Sequence, residues 1–344
     1  MSVLRYLGAT AIAAAIGFPS LARAADLAPM PDSLTLTPTP VVSQSISQDQ
    51  QQGSVSPQYL DEPATAPAPA PEAAPAAPAP PAGPNLHGFF DMPFKTAYIT
   101  PRGLVVENKG LVMEPVFGLV FPLDDIGPVS KVAFITGIWN SINTAQDDHF
   151  VGPWNELDYF ASLSGSVGNF TGTLTYSPWF SPPHNFTIES TSDFKVSYDD
   201  TGMFLKDFAL KPYVDFFYSI SGDSTVILGR HGSTYYFEPG VNPSYTYKGI
   251  EDWPITFSNQ TYFSVGPKNF WNSAETGSHF GVFSTSLSAS VPLPIPIKYG
   301  AWHAGVSIQY YYLLNHFLEE SGTLACGNDT RSNFNGSVDI GFNF

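Results

Sequence analysis

The sequence predicts an all-β fold: a transmembrane antiparallel up-and-down β-barrel of about 12 strands, preceded by a disordered Pro/Ala-rich N-terminal segment. Three observations predict it. Apolar and polar residues alternate along many short segments. Only 13% of the 344 residues are charged, whereas soluble domains contain roughly a quarter. After the N-terminus, no apolar run approaches the ~18 residues of a membrane-spanning helix. A wall between lipid and a polar lumen requires this combination.

The C-terminal segment shows the alternation most clearly. Its apolar face carries Phe334, Val338, Ile340, Phe342 and Phe344, while Asn, Ser, Asp and Gly occupy the other face. A period of two indicates a strand with different solvents on its two faces, and closure of the barrel would protect its edge. The ending resembles that of Gram-negative outer-membrane β-barrels, whose last strand finishes on Phe. The resemblance implies that these five residues are the assembly signal for the barrel-assembly machinery.

Residues 1–24 read as a secretory signal peptide. Arg5 supplies the positive charge, residues 7–17 form a short apolar core, and Ala22-Arg23-Ala24 is an A-x-A cleavage site. This arrangement is typical of exported proteins. The sequence therefore predicts export and a mature chain that starts at Ala25.

Residues 25–85 are predicted to be a disordered periplasmic linker. They are rich in Pro, Ala, Ser and Gln, which favours extended polyproline II. At ~3.1 Å per residue, such a chain spans on the order of 150 Å. Ala25-Asp26 with this tail resembles certain envelope barrels whose first residue is joined to peptidoglycan. The resemblance implies linkage through the Ala25 amino group, and the alternative is a passive tail.

From residue 86 to residue 344 the pattern predicts the barrel itself. Pro101 and Pro115 fall inside the first two predicted strands, where they require bulges or unpaired positions. Residues 85–94 are interpreted as a candidate plug. A soluble β-sandwich is the alternative fold, but aromatic residues near the strand ends favour the membrane barrel. The predicted strands are 96–106, 112–121, 132–142, 156–165, 170–177, 188–198, 210–218, 233–247, 255–265, 283–291, 302–310 and 334–344.

Three stretches in this region resemble an uncharacterised group of porin-like outer-membrane proteins. They are Gly137-Ile138-Trp139-Asn140-Ser141, Leu210-Lys211-Pro212-Tyr213 and Thr234-Tyr235-Tyr236-Phe237-Glu238-Pro239-Gly240. The resemblance implies a barrel and no established substrate.

The polar faces of the strands predict the lining of the lumen. Acidic residues outnumber basic ones on these faces, and Arg102 is a further candidate base. The surplus predicts a negative potential and a mild preference for cations. The predicted lining residues are Glu114, Glu156, Asp158, Glu189, Asp193, Lys195, Lys211, Asp215, Glu238 and His303.

Several functions are disfavoured by the sequence. A formal net charge of −16 argues against a nucleic-acid partner. One cysteine, Cys326, excludes an internal disulfide and is interpreted as an incidental loop residue. No catalytic motif, cofactor site or metal site is predicted, and Asp147-Asp148-His149 is interpreted as a solvated loop.

The sequence thus predicts a non-enzymatic, narrow channel for small polar solutes in the outer membrane, with membrane lipid and the assembly machinery as partners. Its oligomeric state is left open. Two alternatives remain. One is a structural tether to peptidoglycan. The other is an outer-membrane hydrolase in which His303 acts with Ser307, Ser288 or Gln309.

Overall fold

A computed structural model describes residues 86–145, 153–184, 188–205, 208–220, 233–249, 253–268, 270–271 and 278–344. The predicted signal peptide, the linker with Ala25, and the loop triplet Asp147-Asp148-His149 lie outside these residues. The domain boundaries predicted from the sequence therefore stay predictions.

The described residues contain 17 strands, a single-turn 3₁₀ helix (Ile297–Tyr299) and one α-helix, α1 (His316–Cys326). Among these residues, no helix is both long and apolar enough to cross a membrane. The strands are β1 (His87–Lys95), β2 (Tyr98–Ile99), β3 (Val105–Glu107), β4 (Val112–Met113), β5 (Val116–Pro122), β6 (Ser130–Asn143), β7 (Trp154–Val167), β8 (Phe170–Phe180), β9 (Glu189–Tyr198), β10 (Phe208–Ala209), β11 (Pro212–Ser219), β12 (Thr234–Val241), β13 (Ser244–Tyr247), β14 (Ile255–Val265), β15 (Phe280–Pro292), β16 (Ala301–Leu313) and β17 (Ser332–Asn343).

All strands except β2 and β3 form one antiparallel sheet. β4 and β5 continue each other in one register, as do β10 with β11 and β12 with β13. The sheet closes because β1 pairs with β17, from Phe89 opposite Asn343 to Lys95 opposite Ser337. The wall therefore has 12 strands, and closure satisfies every edge. The predicted fold class is confirmed.

The wall carries its apolar residues outside. On β7, Tyr159, Leu163 and Val167 are exposed, whereas the intervening Ser162 and Ser164 are buried. The inward serine hydroxyls pair with threonine hydroxyls of β8, with oxygen–oxygen distances of 3.0 and 3.1 Å. The alternation predicted from the sequence is thus the alternation of the wall, with the polar face turned inward.

The first predicted strand and the predicted plug were wrong. Residues 87–95, which include most of the predicted plug, form the wall strand β1. Residues 96–106, predicted as a wall strand, lead into the inner hairpin, a separate two-stranded unit made of β2 and β3. The physical reason is that this segment is apolar on both faces. Tyr98, Leu104 and Val106 pack with one buried cluster, and Ala97, Ile99 and Val105 pack with another.

Turn chemistry shapes the inner hairpin. Pro101 lies at its tip rather than in a strand, and Gly103 has a φ of +94°, which favours glycine. A Cβ at Gly103 would meet Val282 and Leu318 at 3.0 and 3.1 Å. Pro115 lies in the break between β4 and β5. Both prolines are therefore outside the hydrogen-bonded ladder, as the sequence required.

Helix α1 lies in the connection between β16 and β17 and packs on the inner hairpin. Its N-cap, Asn315, accepts a hydrogen bond from the Phe317 backbone N–H at 2.9 Å, and Gly327 ends it with a φ of +75°. The prediction that Cys326 is a loop residue was wrong, because Cys326 is a buried residue of α1. Its Sγ lies 3.6 Å from the Val105 carbonyl oxygen, so the thiol packs helix against hairpin.

Candidate functional site: the barrel interior

Arg102, at the tip of the inner hairpin, is the central cation of the barrel interior. It is buried, and its guanidinium carbon lies 5.3 Å from the ring centre of Trp179 and 4.7 Å from that of Phe217. Both rings come from wall strands, β8 and β11. A planar guanidinium stacked on aromatic faces gains cation–π attraction when desolvated. The hairpin therefore carries a fixed positive charge into the interior.

Carboxylates from four wall strands surround this cation. Each of them interacts electrostatically with Arg102, and together with Arg102 they form what we call the interior charge cluster. Several are fully buried, where a carboxylate is costly unless it is compensated. The acidic members are Glu156, Asp158, Asp193, Asp215 and Glu238.

Hydrogen bonds tie the hairpin to the wall around this cluster. The Tyr98 hydroxyl donates to Glu156 Oε2 at 2.8 Å. The Tyr262 hydroxyl donates to the Pro101 carbonyl oxygen at 3.1 Å. On the opposite side, Asn335 Oδ1 accepts from the Ala97 backbone N–H at 3.2 Å. The hairpin is thus anchored to three different regions of the wall.

Strands β9, β11 and β12 place charges directly opposite one another. Asp215 is paired in register with Lys195 on one side and with Glu238 on the other. The Lys195 ammonium lies 4.4 Å from the ring centre of Tyr213, and the Tyr213 hydroxyl donates to Glu238 Oε1 at 3.1 Å. Lys195 and Tyr213 therefore link the two carboxylates into one network.

Glu114 belongs to a separate ion pair. Its Oε2 lies 2.5 Å from Lys95 Nζ, and Glu114 itself is almost fully buried. Glu189 is buried on β9. Both residues are in the barrel wall, but Glu114 is compensated by a base that the sequence analysis did not include.

Lys211 lies apart from the interior charge cluster. It has a φ of +46° at the break between β10 and β11, and its backbone N–H donates to Asp200 Oδ1 at 2.8 Å. Partial burial raises the pKa of the neighbouring Asp199, but hydrogen bonds from Thr201 and the charge of Lys211 outweigh it and bring that pKa below its ordinary value. The charge of Lys211 thus acts on Asp199 in the β9–β10 turn.

His303 is half-buried on the inner face of β16, next to Asp339. The groups considered for the hydrolase alternative bond elsewhere. The Ser307 hydroxyl pairs with Ser337 at 2.9 Å, that of Ser288 pairs with Ser258 at 2.7 Å, and Gln309 Nε2 donates to Ser284 at 2.9 Å. His303 therefore faces carboxylates, an arrangement that does not favour a serine nucleophile.

The five residues of the predicted assembly signal lie on the outer face of β17 and at the chain end. Phe334, Val338, Ile340 and Phe344 are exposed, and the Phe342 ring stacks on Trp302 with 4.6 Å between ring centres. Their role in assembly, like the lining role of the ten predicted lumen residues, stays a prediction.

Four interior groups are absent from the predicted lining: Tyr98, Asp91, Lys95 and Asp339. Asp91 lies in the segment predicted as a plug and Tyr98 in the segment predicted as a wall strand, while Lys95 lies between these two segments. Asp339 lies on the polar face of the last strand, a signal that was available but was not combined with the other acids. Contacts between the hairpin and the wall depend on tertiary structure, so no local pattern indicated them.

The closed wall, exposed apolar surface and charged interior define a transmembrane β-barrel as the class of this protein. No family model matches the chain, and no curated protein matches it by sequence. Among solved structures, an outer membrane channel from Pseudomonas putida F1 is 10% identical with a TM-score of 0.41, and the alignment covers 75% of this chain and 95% of that one. A bacterial polysaccharide outer membrane secretin has a TM-score of 0.39 at 8% identity, with 76% and 100% covered. A porin has a TM-score of 0.31 at 9% identity, with 76% and 99% covered. Since these scores and identities are low, they add no argument about function.

Proposed function

We propose that this protein is a narrow, porin-like outer-membrane channel for passive diffusion of small polar solutes, with a mild preference for cations and no enzymatic activity. One observation carries the proposal: the wall exposes Leu, Val, Ile, Phe and Tyr to its surroundings and buries Ser, Thr, Asp and Glu inside. This is the reverse of a soluble protein, and it fits a cylinder that has lipid outside and water inside.

The interior charges support the cation preference. Five carboxylates of the interior charge cluster share Arg102 as a cationic neighbour, and three of them, Asp193, Asp215 and Glu238, also interact with Lys195. A surplus of acid along a narrow path attracts cations and repels anions. Salt in the bath screens this potential over about 10 Å at 0.1 M.

The inner hairpin and α1 support a narrow path. Barrels of about eight strands are filled by side chains, whereas those of sixteen or more enclose a wide channel. Here the 12-strand wall also holds the hairpin, whose residues 97–100 and 102–107 are all buried. Only small solutes are expected to pass beside it.

The proposal is tested by reconstituting the purified protein in planar bilayers and recording single-channel currents. We expect small discrete conductance steps. Under a KCl gradient, the reversal potential is expected to have the sign that cation selectivity requires, and the selectivity is expected to weaken as ionic strength rises. Absence of conductance from protein that is folded in the same membrane would contradict the proposal, as would anion selectivity.

The tether remains a second proposal from the sequence alone. It rests on Ala25 and on the Pro/Ala-rich composition of residues 25–85, which lie outside the described residues. It is compatible with a channel, because the linker precedes β1 and need not enter the wall.

A further inference from the structure

Three side chains on neighbouring strands converge on the inner face of the wall, and none of them is a member of the interior charge cluster. They are Asp91 on β1, His303 on β16 and Asp339 on β17. Each offers one potential ligand atom, and these atoms all lie within 4.8 Å of one another. Among the described residues, no other group of three His, Cys, Asp or Glu side chains meets this criterion. The trio joins the first strand of the barrel to the last two.

Two glycines make the space that the trio occupies. Gly341 is paired in register with both Asp91 and His303, and Gly305 is paired with Asp339. A Cβ at Gly341 would lie 2.6 Å from His303 Cε1, and one at Gly305 would lie 2.6 Å from both carboxylate oxygens of Asp339. The His303 imidazole therefore occupies the space that a side chain at position 341 would need, and the Asp339 carboxylate occupies the space that a side chain at position 305 would need.

The trio holds one buried polar atom that its surroundings leave unsatisfied, whereas Asp91 Oδ1 accepts a hydrogen bond from the Met92 backbone N–H at 3.0 Å. His303 Nε2 is buried and has no hydrogen-bond partner among the described residues. Lys95 also acts electrostatically on Asp339, but its ammonium is paired with Glu114 at 2.5 Å. An unpaired buried nitrogen is costly by itself, whereas a dication held between it and the two carboxylates would satisfy it.

We propose that Asp91, His303 and Asp339 form a binding site for a divalent transition-metal ion such as Zn²⁺. An imidazole with two carboxylates suits Zn²⁺ and its neighbours better than Ca²⁺ or Mg²⁺, which prefer oxygen ligands alone. Bonds of about 2.0–2.2 Å from Zn²⁺ to nitrogen and oxygen place tetrahedral ligand atoms roughly 3.4 Å apart, so binding would draw these atoms together from separations of up to 4.8 Å. Three protein ligands leave one tetrahedral position for water on the inner face.

The position of the site gives it a structural consequence. The three ligands lie on β1, β17 and β16, so a bound ion cross-links the seam at which the barrel closes. A ligand that binds the folded state stabilises it by mass action. Zn²⁺ is therefore expected to raise the urea concentration at which the barrel unfolds.

The test is a titration of Zn²⁺ into chelator-treated, detergent-folded full-length protein, followed by calorimetry, with Co²⁺ absorption as a second readout. We expect one Zn²⁺ per chain at the site. D339N replaces a carboxylate by a neutral side chain of the same shape, and H303N removes the imidazole, and each is expected to weaken Zn²⁺ binding by at least about tenfold. The upward shift of the unfolding midpoint with Zn²⁺ is expected to disappear in both variants.

The matched control is H316N. His316 is exposed on α1, and its ring nitrogens lie 3.5 and 3.3 Å from Glu319 and Glu320, so it is a competing surface site. H316N is expected to bind Zn²⁺ as the unaltered protein does. The proposal would be overturned if D339N and H303N bound Zn²⁺ as tightly as the unaltered protein does. Loss of binding in H316N alone would also overturn it. Two ligand variants are used so that a folding defect in one leaves the other to decide.

Discussion

Replacing residues 96–111 by an Asn-Gly turn is expected to increase the single-channel conductance severalfold. This change removes the inner hairpin, Arg102 included, and keeps every residue of the wall strands. The conductance of a water-filled cylinder rises with its open cross-section, and 12 strands enclose more space than side chains alone fill. Single-channel recording in planar bilayers, with the unaltered protein as reference, measures the change.

The register of the wall makes this deletion possible. Lys95 at the end of β1 is paired with Val112 at the start of β4, so a two-residue turn is the natural connection between them. Asn-Gly is the preferred dipeptide for such turns because both positions need a positive φ. The deletion therefore shortens a connection without displacing a wall strand.

A control deletion addresses non-specific widening. Residues 124–128 form an exposed connection between β5 and β6 at the opposite end of the barrel. Shortening this connection is expected to leave the conductance unchanged. If the hairpin-free protein folds and inserts but conducts no more than the unaltered protein, the inner hairpin is not the constriction.

Changing Arg102 to Gln is expected to destabilise the barrel and to increase its cation selectivity. The variant leaves five buried or half-buried carboxylates without their shared cation. Removing one partner of a buried charge network costs about 3–5 kcal/mol. Urea unfolding monitored by tryptophan fluorescence measures the loss, and the reversal potential under a KCl gradient measures the selectivity.

Two further variants separate charge from position. K109Q removes a positive charge from an exposed site just after β3 and is expected to change the free energy of unfolding by less than about 1 kcal/mol. R102K keeps the charge but loses the planar stacking on Trp179 and Phe217. Its stability is therefore expected to fall between that of R102Q and that of K109Q. If R102Q is as stable as K109Q, the cluster does not depend on Arg102.

Most of the wall could be predicted because the alternation of apolar and polar residues within each strand reflects the two environments on its faces. In β17, β15 and β7, most alternate residues are apolar, and the structure places the large ones outside. The signal failed for residues 87–106. β1 carries aromatic residues on both faces, with Phe89 in a buried cluster and Phe90 beside Phe342. The hairpin after it is also apolar on both faces, so periodicity assigned the wall strand and the inner segment in reverse.

The interior could be predicted only as a list of residues. The alternation of side chains along a strand puts Glu156 and Asp215 on the polar face. It does not show that Arg102, from a distant turn, approaches both of them. The trio of Asp91, His303 and Asp339 was missed for the same reason. It forms only when β1 closes against β17, across more than two hundred residues of sequence.

The central claim is that the outer face of the wall meets lipid and the inner face meets water. Four consecutive residues of β16, Val306, Ser307, Ile308 and Gln309, test it directly. Each is replaced by a spin-labelled cysteine in a C326S background, and collision rates with oxygen and with a water-soluble nickel complex are measured in lipid vesicles. We predict high oxygen accessibility at 306 and 308, and high nickel accessibility at 307 and 309. Nickel accessibility at 306 and 308, or no alternation at all, would contradict the account.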